Sequence, residues 1–372
     1  MKLLTASASA AILLFTLAGA AVPAQSPTPP AEAAAQKVFL DTDIGDDIDD
    51  VFALSLLLST PKIQIVGISS AWGDTALRAR MIDRILCETG RDDIPVAIGI
   101  AKTRSGAGEF SQKPWASQGI DHPHADAVTL LLDQIKRSPG EVTLLSIGPL
   151  TNIGAAIDRD PATFRQLKGV VLMGGSVYRG YDNQHPLKPT TAPQPEYNIA
   201  MDPDAAQKLF HSGVHLYMMP LDSTQIPFDE AKRNQLATVS TPLTDAIQVL
   251  TAEWSNTTHR PNPTLFDVVA AAYAIDPTTC PTTPINIDID PDGSTRVVRA
   301  APNAEACLEP HPDEFFKLLM PALLNQNLAG THACVAPAKP ASTPTSTPSQ
   351  APTETPTETP GVTPPTAPPT TP

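Results

Sequence analysis

Short apolar runs recur along the chain at residues 37–40, 63–69, 96–98, 142–147, 169–173 and 214–219. They are continuous rather than alternating, the pattern of strands buried on both faces. Stretches with helical spacing lie between them. Residues 51–58 are apolar nearly all round and predict a buried helix. Residues 75–89 place Leu77, Ile82, Ile85 and Leu86 on one helical face. Further helices are predicted over 127–135, 150–157, 203–211 and 242–254, and another opens over 267–274. Residues 100–125 and 174–196 have no period and predict long loops. Because strands and helices alternate, the fold class is α/β: an open, mostly parallel sheet with helices on both faces, Rossmann-like in kind. Ligands bind outside the carboxyl ends of strands in such sheets, and the polar motifs of this chain follow strand ends.

The two ends of the chain break this pattern. Residues 1–24 combine a basic start at Lys2, an apolar run through 11–15 and the small residues around Val22, Pro23 and Ala24, and read as an export signal. That run is shorter than the roughly 20 residues needed to cross a bilayer, so no stable membrane insertion is expected. Residues 25–36 read as a disordered leader. Residues 335–372, almost only Pro, Thr, Ala and Ser, read as a disordered tail, because such a composition buries too little apolar surface to offset ordering entropy. A single domain over 37–334 remains, and its expected location is secreted or periplasmic. Export permits disulfides. Cys307 has both Cys280 and Cys334 as sequence-near partners, whereas Cys87, inside an apolar helical pattern, reads as buried and free. A formal net charge of −14 argues against binding to nucleic acid or to anionic membranes.

The densest chemistry lies at Asp41-Thr-Asp-Ile-Gly-Asp-Asp-Ile-Asp-Asp50, six carboxylates in ten residues between a buried strand and a buried helix. A run wedged between core elements cannot simply face water. Like charges this close raise one another's pKa unless a cation compensates, and oxygen donors suit a hard ion, Ca²⁺ or less favourably Mg²⁺. A helix–loop–helix calcium motif fails in both registers: Phe52 falls where the bidentate glutamate belongs, or Ile48 where the turn glycine belongs.

This acidic start is followed in order by Gly148-Pro-Leu-Thr-Asn152, Met173-Gly-Gly175, Glu196-Tyr-Asn198, Asp202-Pro203, Pro220-Leu-Asp222 and Leu265-Phe-Asp267. The series resembles the inosine-uridine preferring nucleoside hydrolase family, the nucleoside N-ribohydrolases, over residues 37 to about 275. The resemblance implies Ca²⁺-dependent hydrolysis of the N-glycosidic bond of a small-molecule nucleoside, with one ion per chain at the sheet's carboxyl edge. It implies metal ligation by Asp43, Asp50, Asp267 and the backbone carbonyl of Ile147, and a general base at Asp49. It also implies sugar contacts from Glu196, Tyr197 and Asn198 beside Met173, and a supporting role for Asp41. Homodimers or homotetramers are common in the family.

Several positions depart from the family pattern. Three residues rather than one separate Gly45 from the Asp49–Asp50 pair, which leaves Asp47 as an alternative base. Asp74 follows Gly73 where the family has a sugar-contacting asparagine. Phe266 stands where purine-releasing relatives carry a histidine, so a leaving-group acid is either missing or supplied by a loop histidine such as His122, His124 or His259. Trp72 and Trp254 are candidates to stack on a base. These departures keep two other readings open: hydrolysis of a different N-glycoside, and metal-dependent nucleoside or sugar binding without turnover.

Overall fold

The computed structural model describes residues 35–102, 110–188 and 190–336. The expected export signal, and nearly all of the expected leader and tail, lie outside these residues. The strands are β1 (Gln36–Thr42), β2 (Ile63–Ser70), β3 (Val96–Ile98), β4 (Ala125–Asp126), β5 (Val142–Ser146), β6 (Gly169–Met173), β7 (Leu216–Met219), β8 (Thr283–Ile285), β9 (Ile287–Ile289), β10 (Thr295–Val297) and β11 (Ala304–Ala306). Nine form one sheet in the order β4-β3-β2-β1-β5-β6-β7-β11-β8, while β9 and β10 pair as a separate ribbon. Every pairing in the large sheet is parallel except β11 with β8. The α/β fold expected from the alternation is therefore the observed one.

The sheet divides the core into two layers. Val38 and Leu40 of β1 face one layer and Phe39 the other; Val171 and Met173 of β6 are likewise opposed to Val170 and Leu172. Helices Asp49–Leu58, Thr75–Glu88, Pro242–Thr258 and Phe266–Ile275 cover the first face, and helices Ala127–Arg137, Thr151–Arg159 and Pro203–Phe210 the second. All ten residues of Asp49–Leu58 are buried, and this helix packs along Phe266–Ile275. Both are apolar all round because each has protein on every side. The chain leaves β1 toward β2 on one side and returns with β5 on the other. The carboxyl ends of β1 and β5 thus form the crevice where open α/β sheets bind ligands.

Residues 174–196 carry no helix or strand among their described positions, as expected. The stretch 100–125 is not wholly a loop: it contains helix Lys113–Ala116 and ends on β4. Four residues, with Pro114 second, are too few to show a period, which is why the helix leaves no pattern in the sequence. Helix Pro312–Asn325, beyond the last assigned sequence pattern, buries Phe315, Leu319, Met320 and Leu323.

The cysteines correct one expectation. Cys280 pairs with Cys307, but Cys87 is not free: it is bonded to Cys334, 247 residues away, with the Cα atoms 5.6 Å apart. The apolar helical setting of Cys87 signalled burial, and a partner so remote in sequence gives no local cue. Cys334 is followed by Val335, which forms an isolated bridge to Gly119, so ordered backbone reaches that residue. Replacing both Cys280 and Cys307 with alanine is expected to destabilise the fold by about 2–4 kcal/mol through loss of loop closure. A urea midpoint matching that of the unmodified protein would contradict this.

Candidate metal centre and cavity

The acidic run is held at the carboxyl end of β1 by a buried hydrogen-bond lattice. Asp41 Oδ1 accepts from Ser69 Oγ at 2.5 Å and from Asn152 Nδ2 at 2.8 Å. Asn152 also donates to the Ser70 carbonyl at 3.0 Å and accepts from the Ile100 amide at 2.9 Å, which joins the ends of β1 and β2 to the start of helix Thr151–Arg159. Thr42 Oγ1 donates to Asp50 Oδ1 at 2.5 Å. The chain then turns through Gly45, whose φ of +125° is in the left-handed region and whose missing Cβ is replaced by the Phe110 ring. Arg78, from helix Thr75–Glu88, lies behind this turn and pairs with Asp46 at 3.0 Å.

A cavity of about 450 Å³ opens over this edge. On its floor, ligand-capable oxygens of Asp49, Asp50 and Asp267 all lie within 4.8 Å of one another, and all three residues are buried. They are the first-turn residues of the two core helices, so their positions follow from the packing of those helices. The Asp267 amide donates to Asp49 Oδ2 at 3.0 Å. At such separations, even with an effective dielectric near 20, each ionised pair repels by at least about 3 kcal/mol. A helix N-terminus offsets typically 0.3–1 kcal/mol, about 2 at most. The helix ends alone therefore cannot hold three ionised carboxylates here; protons or a cation must. Burial first, and repulsion from neighbouring carboxylates including Asp43 and Asp47 second, push Asp49, Asp50 and Asp267 well above the ordinary carboxylate range. Burial pushes Asp43 up to about 7 despite the opposing charge of Arg78.

The donor set fits a hard divalent cation. Asp43 lines the same cavity as Ile147. A Cβ on Gly148 would lie 2.9 Å from Asp43 Oδ1, so only glycine lets the Asp43 carboxylate approach the segment carrying the Ile147 carbonyl. Residues of types that could bind zinc through nitrogen or sulfur do not line this cavity among the described residues.

Met173, Glu196, Tyr197 and Asn198 form another wall. Asn198 Nδ2 donates to the carbonyls of Met173 at 3.1 Å and Ile147 at 3.3 Å. Glu196 caps helix Tyr197–Met201: its carboxylate accepts from the amides of Gly175, Asn198 and Ile199 at 2.8, 2.9 and 3.2 Å. Burial nevertheless pushes it up to about 6. Tyr181 reaches this wall from the 174–196 loop. Its hydroxyl accepts from the Tyr197 amide at 3.1 Å, and its ring meets Phe266 edge-on at 6.0 Å. Burial raises the phenol well above its ordinary pKa, so it stays protonated at neutral pH. Asp222 fastens the loop by accepting from the Val177 and Tyr178 amides, both at 2.8 Å, and Gln225 Oε1 accepts from the Asp182 amide at 2.7 Å.

A third wall is built from Asp47, Trp254 and Arg260. Burial raises Asp47 to about 6, against the lowering effect of its own hydrogen bonds and of Arg260. Asp74 is not at the cavity. It is exposed and caps helix Thr75–Glu88, accepting from the Leu77 amide at 3.1 Å. The left-handed pair Trp72 and Gly73, with φ of 63° and 62°, turns the chain so that Arg78 rather than Asp74 points inward. Trp72 is a core residue. None of His122, His124 and His259 lines the cavity. His124 instead pairs with Asp83 at 3.0 Å, and His259 is the left-handed cap of helix Pro242–Thr258. Arg78, Tyr181 and Arg260 also line or brace the site, and each lies in a segment that carries no motif in the sequence.

Known proteins share this fold. The structure superposes on a plant nucleoside hydrolase with a TM-score of 0.68 at 20% identity, covering 78% of this chain and 99% of that one. It superposes on the purine-preferring ribonucleoside hydrolase from Gardnerella vaginalis with a TM-score of 0.63 at 25% identity, covering 78% and 98%. In sequence, the probable uridine nucleosidase 2 of Oryza sativa subsp. japonica is 31% identical over 217 residues, 54% of this chain and 60% of that protein. The pyrimidine-specific ribonucleoside hydrolase RihB of Escherichia coli is 30% identical over 200 residues, 51% and 60% respectively. The chain thus matches less than two thirds of the length of these two curated relatives. Residues 38–317 match the profile of the inosine-uridine preferring nucleoside hydrolases, and the chain belongs to that family.

The raised carboxylates set the sign of a pH effect. Asp41 and Glu196 are held near 6 and Asp43 near 7, against ordinary values of 3.8 to 4.5. Between about pH 4 and 7 the cation-free folded state therefore binds more protons than the unfolded chain, and stability falls as pH rises. In excess chelator the melting temperature is expected to climb as pH is lowered from 8 to 5, and added Ca²⁺ to flatten that slope. A chelated protein whose melting temperature rises with pH across this window would show the carboxylates to be compensated otherwise.

Proposed function

We propose that this protein hydrolyses the N-glycosidic bond of ribonucleosides, releasing the free base and ribose. One Ca²⁺ per chain would be held by Asp43, Asp50, Asp267 and the Ile147 carbonyl. The observation that carries this reading is the buried trio Asp49, Asp50 and Asp267 at the floor of a nucleoside-sized cavity, in a chain of this family. Oxygen donors favour Ca²⁺, with Mg²⁺ the alternative. A bound divalent cation supplies Lewis acidity, making a water acidic enough to lose its proton near neutral pH.

The chain's own residues do the rest. Asp49 takes the proton, a role that suits it better than Asp47, because Asp49 adjoins Asp50 and Asp267 whereas Asp47 sits with Trp254 and Arg260. Glu196 and Asn198 orient the sugar. Breaking the C–N bond builds positive charge on the ribosyl ring, which the surrounding carboxylates stabilise. The base leaves with the bonding pair toward the wall of Tyr181, Phe266, Trp254 and Arg260, where the Arg260 guanidinium is its hydrogen-bond donor. Phe266 makes that side drier and strengthens nearby electrostatics.

We further propose that the protein acts after export, in a periplasmic or extracellular space. The apolar segment at 11–15 and two disulfides favour an oxidising compartment. Among the described residues no helix is long and apolar enough to cross a membrane.

A product screen against a nucleoside panel, with and without chelator and with elemental analysis of the dialysed protein, tests the proposal. Free base and ribose that appear only with Ca²⁺ or Mg²⁺ are expected; zinc alone, or no metal and no product, would refute it. Asp49→Asn is expected to lower kcat by about 10²–10⁴-fold while metal content is retained. A pure kcat defect in Asp47→Asn instead would transfer the base to that residue.

A further inference from the structure

Arg78 is the most completely committed cation among the described residues. Its side chain is 3% exposed. Nε donates to the Trp72 carbonyl at 2.8 Å, Nη1 donates to the carbonyls of Asp43 and Ile44, and Nη2 donates to Asp46 Oδ2 at 3.0 Å. The Phe110 ring faces the guanidinium carbon at 5.0 Å. Three of these partners belong to the short segment that presents the Asp43 carboxylate to the cavity, and the fourth is the left-handed Trp72 that aims the helix at it. Asp46 is one of the three residues between Gly45 and the Asp49–Asp50 pair.

We propose that Arg78 is a positioning residue for the cation site: its planar fork fixes the backbone of Asp43 and Ile44, and Asp46 anchors the fork through Oδ2. The inference rests on the metal reading above. A guanidinium so close to the carboxylates also repels a cation, so charge and geometry predict opposite effects. If charge dominates, removing it tightens binding; if the fork dominates, losing the fork weakens binding even when charge is kept. Four directed donors cannot be reproduced by the compact ammonium of lysine.

The test is calorimetric titration of Ca²⁺ into chelator-stripped full-length protein, with melting temperature in chelator as the check on folding. Arg78→Lys and Arg78→Met are both expected to weaken Ca²⁺ binding by about 10–100-fold, the usual scale for outer-layer partners of ligands. Unchanged affinity in folded Arg78→Lys, or tighter binding in Arg78→Met, overturns the inference while leaving the metal reading intact. A wild-type protein that binds no Ca²⁺ overturns both. Should the Arg78 variants not fold, Asp46 decides. Asp46→Asn, which keeps an oxygen for Nη2, is expected to bind near wild type, and Asp46→Ala to bind more weakly. Equal losses in the two, or no loss in either, would overturn the proposal.

Discussion

Mutual repulsion among carboxylates withdrawn from water is the constraint around which this molecule is organised. Asp49, Asp50 and Asp267 start two deeply buried helices that pack together, so the helices cannot pack without bringing the charges together. Their packing supplies the core; their N-termini and a few hydrogen bonds offset only part of the repulsion. The remainder is a standing demand for positive charge at one spot, and that demand is what makes the sheet edge chemically useful.

The six carboxylates of the acidic run consequently have separate fates. Asp41 is turned inward and tied to Ser69 and Asn152, where it locks strand ends together. Asp46 is paired with Arg78. Asp47 belongs to the wall of Trp254 and Arg260. Asp43, Asp49 and Asp50 face the centre with Asp267. The glycines here serve close approach: Gly45 makes room for Phe110 and Gly148 for Asp43, each at a place where a methyl group would displace a neighbour.

Much of this was legible in the sequence because it is local. Unbroken apolar runs marked β1, β2, β5 and β6, since a strand covered on both faces needs no polar side. The acidic run declared itself by density, and Glu196, Asn198 and Asp267 by their order in a series of motifs. What escaped notice depends on contacts between distant segments. Arg78 lies one helical turn beyond the Gly73 turn and looks like any surface arginine until Trp72 turns the helix inward. Asp74 looked like a sugar ligand for the converse reason, because its neighbour's left-handed backbone is not written in composition. Tyr181 sits in an aperiodic loop, and Cys87 finds its partner 247 residues away. The helix at Pro312–Asn325 did carry a signal, in the spacing of Phe315, Leu319 and Leu323.

The Cys87–Cys334 bond has a mechanical meaning. Any pull exerted on the chain beyond Cys334 enters the folded body at the Val335–Gly119 bridge and the end of helix Thr75–Glu88, not at the sheet. Arg78 lies nine residues back along that helix, roughly 13 Å at helical rise. A load borne this way stretches a covalent link and a helix end before it shears any pairing of the nine-stranded sheet. A domain tethered through that end would thus be shielded from traction on its acidic sheet edge as long as the bond stays oxidised. After reduction, the same traction would peel the stretch around Gly330, whose amide donates to the Glu88 carbonyl, away from the helix that braces Asp43.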